Sequence, residues 1–282
     1  MPELPEVETI ARYLREGREN TPSLIGFKIE GAEILWGRSL ETPQPYEFVQ
    51  RIPGQRIEQI SRRGKFIRFR LQDYFFLVHL RMSGDLWVEP ESAPIAPHHR
   101  WMLDFDNGWR LAFNDPRKFG RAWLVFDDQS ILGRLGPEPL DESLTEAKFY
   151  QQLHNFHRRL KPLLLDQFFL AGLGNIYTDE ALHLAGLHPL MISSYLSEEQ
   201  SNTLLSAIRQ VLREGIIRQG ASIDWVYRGG DFQNYFRVYQ RTGQPCPVCA
   251  TPIERIKVGQ RSTHFCPSCQ KMEEESVEKS NF

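Results

Sequence analysis

CPVCATPIERIKVGQRSTHFCPSC, residues 246–269, holds all four cysteines of a 282-residue chain. Cys246 and Cys249 form one C-x-x-C pair, and Cys266 and Cys269 form a second after a sixteen-residue spacer. Each pair sits in a proline-bearing turn that aims two sulfurs the same way, which suits four thiolates around one tetrahedral Zn2+. Redox thiols and an iron–sulfur site are the other uses of such pairs. With every ligand position filled by sulfur, the metal is expected to be structural, because no coordination site stays open for chemistry. Between the pairs, Ile253 to Val258 alternates like a strand and Gly259-Gln260-Arg261 reads as the turn of a hairpin, with Arg261 at its tip.

Upstream of this element the periodicity changes twice. Val7, Ile10, Ala11 and Leu14 fall at helical spacing behind Pro5. Residues 24–135 carry short alternating runs, such as Phe66–Leu71 and Trp109–Phe113, between Gly, Asn and Asp turns like Asp106-Asn107-Gly108. That pattern predicts strands packed as a sandwich or barrel. From about 145 to 220 the spacing is helical again, as in Leu204, Ile208, Val211, Leu212 and Ile216. Leu135 to Leu140 reads as a linker and 221–240 as a loop. The expected class is multidomain α+β. Residues 1–135 form an N-terminal helix plus β-sandwich, 136–235 a helical domain, 236–270 the zinc finger and 271–282 an acidic, disordered tail.

Composition narrows the function. The charge is −2 and 41% of residues are hydrophobic, which is ordinary globular usage. No apolar run is long enough for a membrane helix, and the first residues lack the pattern of a secretory signal. Charge is nonetheless uneven. Residues 51–70 hold seven basic residues against Glu58, and 201–270 hold nine basic against four acidic. Such clusters can form a basic face for nucleic acid, or simply a solvated surface.

The chain opens Met1-Pro2-Glu3-Leu4-Pro5-Glu6. Trimming of Met1 would expose a secondary amine, which titrates far below a lysine and forms an iminium directly on attacking a sugar carbon. Glu3 and Glu6 are three apart and share a helix face, so carboxylates stand by for proton transfer. Helix capping explains the same residues equally well. Gly172-Leu173-Gly174-Asn175 precedes a helical pattern. It is either an anion site at a helix start or a tight turn capped by Asn175.

Six segments, in order, resemble the formamidopyrimidine-DNA glycosylase family. They are Pro2–Glu8, His79–Gly84, Asp115–Gly120, Leu135–Leu140, Lys161–Gln167 with Gly172–Tyr177, and Gln260–Cys266. The resemblance implies a helix–two-turn–helix domain beside the finger. It also implies a bifunctional base-excision enzyme that removes 8-oxoguanine and formamidopyrimidines from duplex DNA and cuts the strand by β,δ-elimination. Pro2 would be the nucleophile and Glu3 the acid that opens the sugar, with Glu6 lining the site. Lys65 would bind phosphate and assist β-elimination, and Arg261 would grip the phosphate leaving in δ-elimination. His79, His98, Lys161, Asn175 and Tyr239 would contact DNA. Met82, Arg117 and Phe119 would fill the gap left by the flipped nucleotide, offsetting part of its unstacking cost.

The same resemblance implies one zinc on Cys246, Cys249, Cys266 and Cys269. Damaged double-stranded DNA would be the partner of a monomer in the bacterial cytoplasm, at the nucleoid. Three departures stand out. Residues 221–236 lack the threonine-rich pattern associated with the loop over the extruded base. Lys118 stands for a commoner Arg, and Arg100 for a commoner His. The rival readings are an endonuclease VIII-like glycosylase for oxidised pyrimidines and a non-catalytic damaged-DNA-binding protein.

Overall fold

The computed structural model describes residues 1–222 and 229–272. The chain divides into two compact units, 1–134 with 219–230, and 135–218 with 231–282. The first unit opens with helix α1 (Leu4–Glu16), which buries Leu4, Val7, Ile10, Ala11 and Leu14 along one face. Gly17 ends it at φ 80°, where a Cβ would lie 2.8 Å from the Thr21 carbonyl oxygen. Only glycine fits that turn.

Nine strands and two short helices follow: β1 (Ile29–Ile34), β2 (Leu40–Thr42), α2 (Pro45–Arg51), β3 (Ile57–Arg63), β4 (Phe66–Leu71), β5 (Phe75–His79), β6 (Asp85–Pro90), β7 (His99–Phe105), β8 (Trp109–Asn114), β9 (Arg121–Val125) and α3 (Gln129–Leu132). They form a four-stranded sheet, β1-β7-β8-β6, and a five-stranded sheet, β2-β9-β5-β4-β3. All pairings are antiparallel except β2 with β9. The alternation seen in the sequence sets which face is inside. On β4, Ile67, Phe69 and Leu71 are buried while Arg68 and Arg70 turn outward. The inner faces share one core, in which Phe76 of one sheet meets Trp101 of the other at 5.2 Å, and Trp101 stacks on Phe113 at 5.2 Å. Each such buried ring contributes roughly 1.5–3 kcal/mol. The expected sandwich with an N-terminal helix is therefore present.

The second unit holds α4 (Glu146–His154), α5 (Leu160–Leu164), α6 (Asn175–Leu184), α7 (Glu198–Ile217), β10 (Glu254–Val258) and β11 (Arg261–Phe265). Ser197 and Gln200 form a capping box that starts α7. The segment read as a linker is a packed part of this unit. Gly136 N–H donates to the Gln167 carbonyl at 2.9 Å, and Arg209 Nε donates to the Pro139 carbonyl at 2.8 Å. Its glycine is required, since a Cβ on Gly136 would lie 2.5 Å from the Phe169 carbonyl. Residues 223–228 of the loop and 273–282 of the tail lie outside the described residues, as do the expectations placed on them. Among the described residues no helix is long and apolar enough to cross a membrane.

Candidate active site and nucleic-acid interface

The first unit carries Pro2, Glu3, Glu6, Lys65, His79, Met82, His98, Arg117 and Phe119; the second carries Lys161, Asn175, Tyr239, Arg261 and the cysteines. Pro2, Glu3 and Glu6 are all buried at the start of α1. The Glu3 N–H donates to Glu6 Oε2 at 2.7 Å, and the Ala221 N–H donates to Glu6 Oε1 at 2.8 Å. Glu6 thus holds Glu3 in place and ties the helix start to the 219–222 segment. Gly220, at φ 84°, allows this approach, because a Cβ there would lie 2.7 Å from Glu6 Cγ.

Lys65 occupies the two-residue turn between β3 and β4 and is buried despite its charge. The turn is anchored to α1 by Arg62, which donates to Glu8 Oε2 at 3.2 Å and to the Gly64 carbonyl at 3.0 Å. His79 is set beside it by the Phe66–His79 register of β4 and β5. Burial first, and then the charges of Arg81 and Lys65, push the His79 imidazole down to about 3, so the ring is neutral at physiological pH. Its Nδ1 accepts from the Arg81 N–H at 3.0 Å, which leaves the ring proton on Nε2 as a donor.

Two turns come together around one carboxylate. Asp115 Oδ1 pairs with Ser83 Oγ and accepts from the Arg117 N–H at 3.2 Å; Oδ2 accepts from the Gly120 N–H at 2.8 Å. The turns at 81–84 and 117–120 are thereby fixed to each other, with Met82 and Phe119 standing 37% and 45% exposed. Arg117 lies over the Phe119 ring at 5.0 Å. The residue preceding each apolar tip is left-handed, Arg81 at φ 55° and Lys118 at φ 62°. Such strain persists only where surroundings over-determine it. Arg100 supplies some of that constraint, donating from Nε to the Asp115 carbonyl at 2.7 Å. The Asp115 N–H in turn holds the backbone of the exposed His98 through its carbonyl at 2.8 Å.

In the second unit, Gly259 and Gln260 alone form the turn, at φ 51° and 68°, and both left-handed values suit a tight hairpin. Arg261 is therefore the first residue of β11, opposite Val258, rather than part of the turn. It remains exposed. The Ser262 carbonyl beside it accepts from Lys161 Nζ at 2.9 Å and Asn175 Nδ2 at 3.1 Å. This corrects two expectations. Asn175 is not the cap of α6, since Gly174 is, and its amide holds the hairpin. Lys161 is wholly buried and paired with Asp179 Oδ1 at 2.6 Å, so it offers no exposed charge to a phosphate. Asp179 Oδ2 accepts from the His264 N–H at 2.9 Å, and Glu180 accepts from the N–H groups of Arg237, Val238 and Tyr239 at 2.8–3.0 Å. Burial pushes the Glu180 carboxyl up. Tyr239 is half-buried, its ring 5.1 Å from that of His264.

The four Sγ atoms lie within 4.8 Å of one another, with separations of 3.4, 3.4 and 3.9 Å between Cys249 and Cys266, Cys249 and Cys269, and Cys246 and Cys269. Zn–S bonds of about 2.3 Å in a tetrahedron require separations near 3.8 Å, so the sulfurs fit zinc.

Three family models cover most of the chain. Residues 1–122 match the formamidopyrimidine-DNA glycosylase N-terminal domain, 135–226 its H2TH domain, and 243–271 the zinc finger found in FPG and IleRS. The formamidopyrimidine-DNA glycosylase of Chloroflexus aurantiacus is 49% identical over 96% of this chain and 98% of its own. That of Protochlamydia amoebophila is 45% identical over 96% and 100%. The chain belongs to the formamidopyrimidine-DNA glycosylase family.

It shares that family's fold, a DNA-repair glycosylase with AP lyase activity that carries one structural zinc. Wild-type Lactococcus lactis Fpg (MutM), solved in complex with DNA containing N7-benzyl-Fapy-dG, superposes with a TM-score of 0.88 at 36% identity, covering 96% of this chain and 100% of that one. The same protein in complex with abasic-site DNA gives the same values. What sequence reading missed in this glycosylase is its supporting set: Ser83 and Asp115 behind the two turns, and Asp179 and Glu180 on α6. Asp115 lies inside one of the six segments, and Gly84 and Gly120 were its signal. A Cβ at either would strike the Phe113 ring, at 2.7 and 2.2 Å, so these backbones must pass close to the core.

Proposed function

We propose that this enzyme excises oxidised purines through Pro2. The observation that carries the reading is the buried start of α1, where Glu6 clamps Glu3 beside Pro2 by hydrogen bonds from two backbone N–H groups. With Met1 removed, the Pro2 nitrogen attacks C1′, the base leaves, and the ring opens to an iminium. Glu3 protonates the ring oxygen in this scheme. Lys65, at the turn anchored to α1, assists abstraction in β-elimination, and Arg261 holds the phosphate lost in δ-elimination. Neutral His79 donates to a phosphate and His98 contacts another, Tyr239 and Asn175 border the same strand, and Met82, Phe119 and Arg117 occupy the emptied stack. Lys161 acts by holding Ser262 and Asp179 and not as a contact. The enzyme works as a monomer, in the bacterial cytoplasm at the nucleoid.

The test is strand cleavage of duplexes bearing one 8-oxoguanine, one formamidopyrimidine or one oxidised pyrimidine. The last belongs in the panel because Lactococcus lactis Fpg has been solved with oxidised-pyrimidine DNA. Purine lesions should be cut faster, leaving phosphates at both gap ends. Faster cutting of the pyrimidine lesion would favour the endonuclease VIII-like reading, and binding without cutting would favour a non-catalytic one.

A further inference from the structure

His183 sits in the last turn of α6, buried, and belongs to none of the motifs above. Its Nε2 lies 3.3 Å from Cys246 Sγ. Its Nδ1 is buried with no partner among the described residues. These two facts fix the proton. With the proton on Nδ1, a buried N–H would lack an acceptor while the Nε2 lone pair faced a thiolate. With it on Nε2, the ring donates N–H···S and only a weak acceptor is left bare.

The sulfur needs such a donor. Four thiolates outweigh the charge of one Zn2+, so the site carries excess negative charge in partly buried surroundings. N–H···S bonds spread that charge and fix the ligand's direction. Within the knuckles the backbone supplies longer ones, from Val248 to Cys246 at 3.5 Å and from Cys269 to Cys266 at 3.4 Å. His183 reaches in from outside the finger. It is also one helical turn past Asp179, which holds β11 through His264.

We propose that His183 is a positioning residue of the zinc site, donating from Nε2 to the Cys246 thiolate and so coupling metal retention to helix α6. Gln at this position can bring an amide N–H to the Nε2 place, whereas Phe keeps the ring volume without a donor. In full-length protein loaded with one zinc, His183→Phe should transfer its metal to a chromogenic chelator roughly 10- to 100-fold faster than the parent, and His183→Gln should recover most of the difference. Cobalt-substituted His183→Phe should show its sulfur-to-metal charge-transfer band at lower energy, because an uncapped thiolate gives up electrons more easily. A readout on the parent covers a variant that fails to fold: in 113Cd-loaded protein the His183 ring proton should sit on Nε2 and couple to cadmium. Parent-like metal release and cobalt spectra in His183→Phe, or a ring proton found on Nδ1, would overturn the proposal.

Discussion

The start of α1 and the Arg261 hairpin each carry residues for which a catalytic role is proposed above, and they are held by different means. Pro2 and Glu3 lead into α1, whose Val7, Ile10, Ala11 and Leu14 belong to a core shared by two sheets that also holds rings as large as Trp101 and Phe113. The hairpin has a core of Val238, Cys246, Ile253 and Cys266, with Cys269 against it, so that most of its apolar members are also the sulfurs of the metal site. Where burial is extensive, position comes from packing; where it is scant, position comes from a metal and from buried carboxylates reaching out of a helix. Damage should therefore propagate differently in the two regions.

The largest effect should come from removing zinc, or from Cys266→Ser. Amide exchange in β10 and β11 should rise to near-unprotected rates and DNA affinity should fall by about 100-fold, while the sandwich keeps its protection. Hydrogen-exchange mass spectrometry resolves both regions at once. Loss of protection in β4, β5 and β7 as well would remove the contrast.

Next is Asp115→Asn. It keeps the size of the side chain but replaces an acceptor oxygen facing the Gly120 or Arg117 N–H by a donor. We expect about 1–3 kcal/mol of destabilisation. Turnover on an intact lesion should drop more than turnover on a preformed abasic site, as follows from the proposed role of the two apolar turns in nucleotide extrusion. Equal losses on both substrates would separate Asp115 from that role.

Much of this was legible in the sequence. The spacing of the four cysteines and the α1 pattern are local signals, and each led to the right element. Lys161 was misread because its environment is not local. Asp179 lies eighteen residues away in sequence and looks there like any helical carboxylate. Glu6 was read as lining the site, but its partner Ala221, 215 positions downstream, could not be seen from the sequence. Long-range burial decides which charges face water, and periodicity carries no record of it.

His79 gives a smaller, pH-dependent effect in the packed region. Its folded value of about 3 lies below the unfolded value of 6.5, so between these the unfolded chain binds more protons. Stability from keeping the ring neutral is complete above pH 6.5 and is lost as pH falls towards 3. His79→Gln should therefore lose less stability than the parent between about pH 7.5 and 4.5, measured by urea midpoints. An identical loss in both would mean that His79 titrates normally.

The smallest effect concerns the hairpin's exposed charge. Arg261→Ala should flatten the slope of log affinity against log salt by about 0.9, as one phosphate contact does. Lys161→Met, removing a buried ammonium, should instead lower thermal stability with little change in slope. A slope change of similar size in both would return Lys161 to the DNA surface.

The most direct measurement is borohydride trapping on an 8-oxoguanine duplex, followed by peptide mapping of the adduct. A single adduct is expected on Pro2 of chains that have lost Met1, none on chains that retain it, and none with an undamaged duplex. An adduct mapping to Lys65, or trapping by chains shown by mass to keep Met1, would contradict the assignment of the nucleophile.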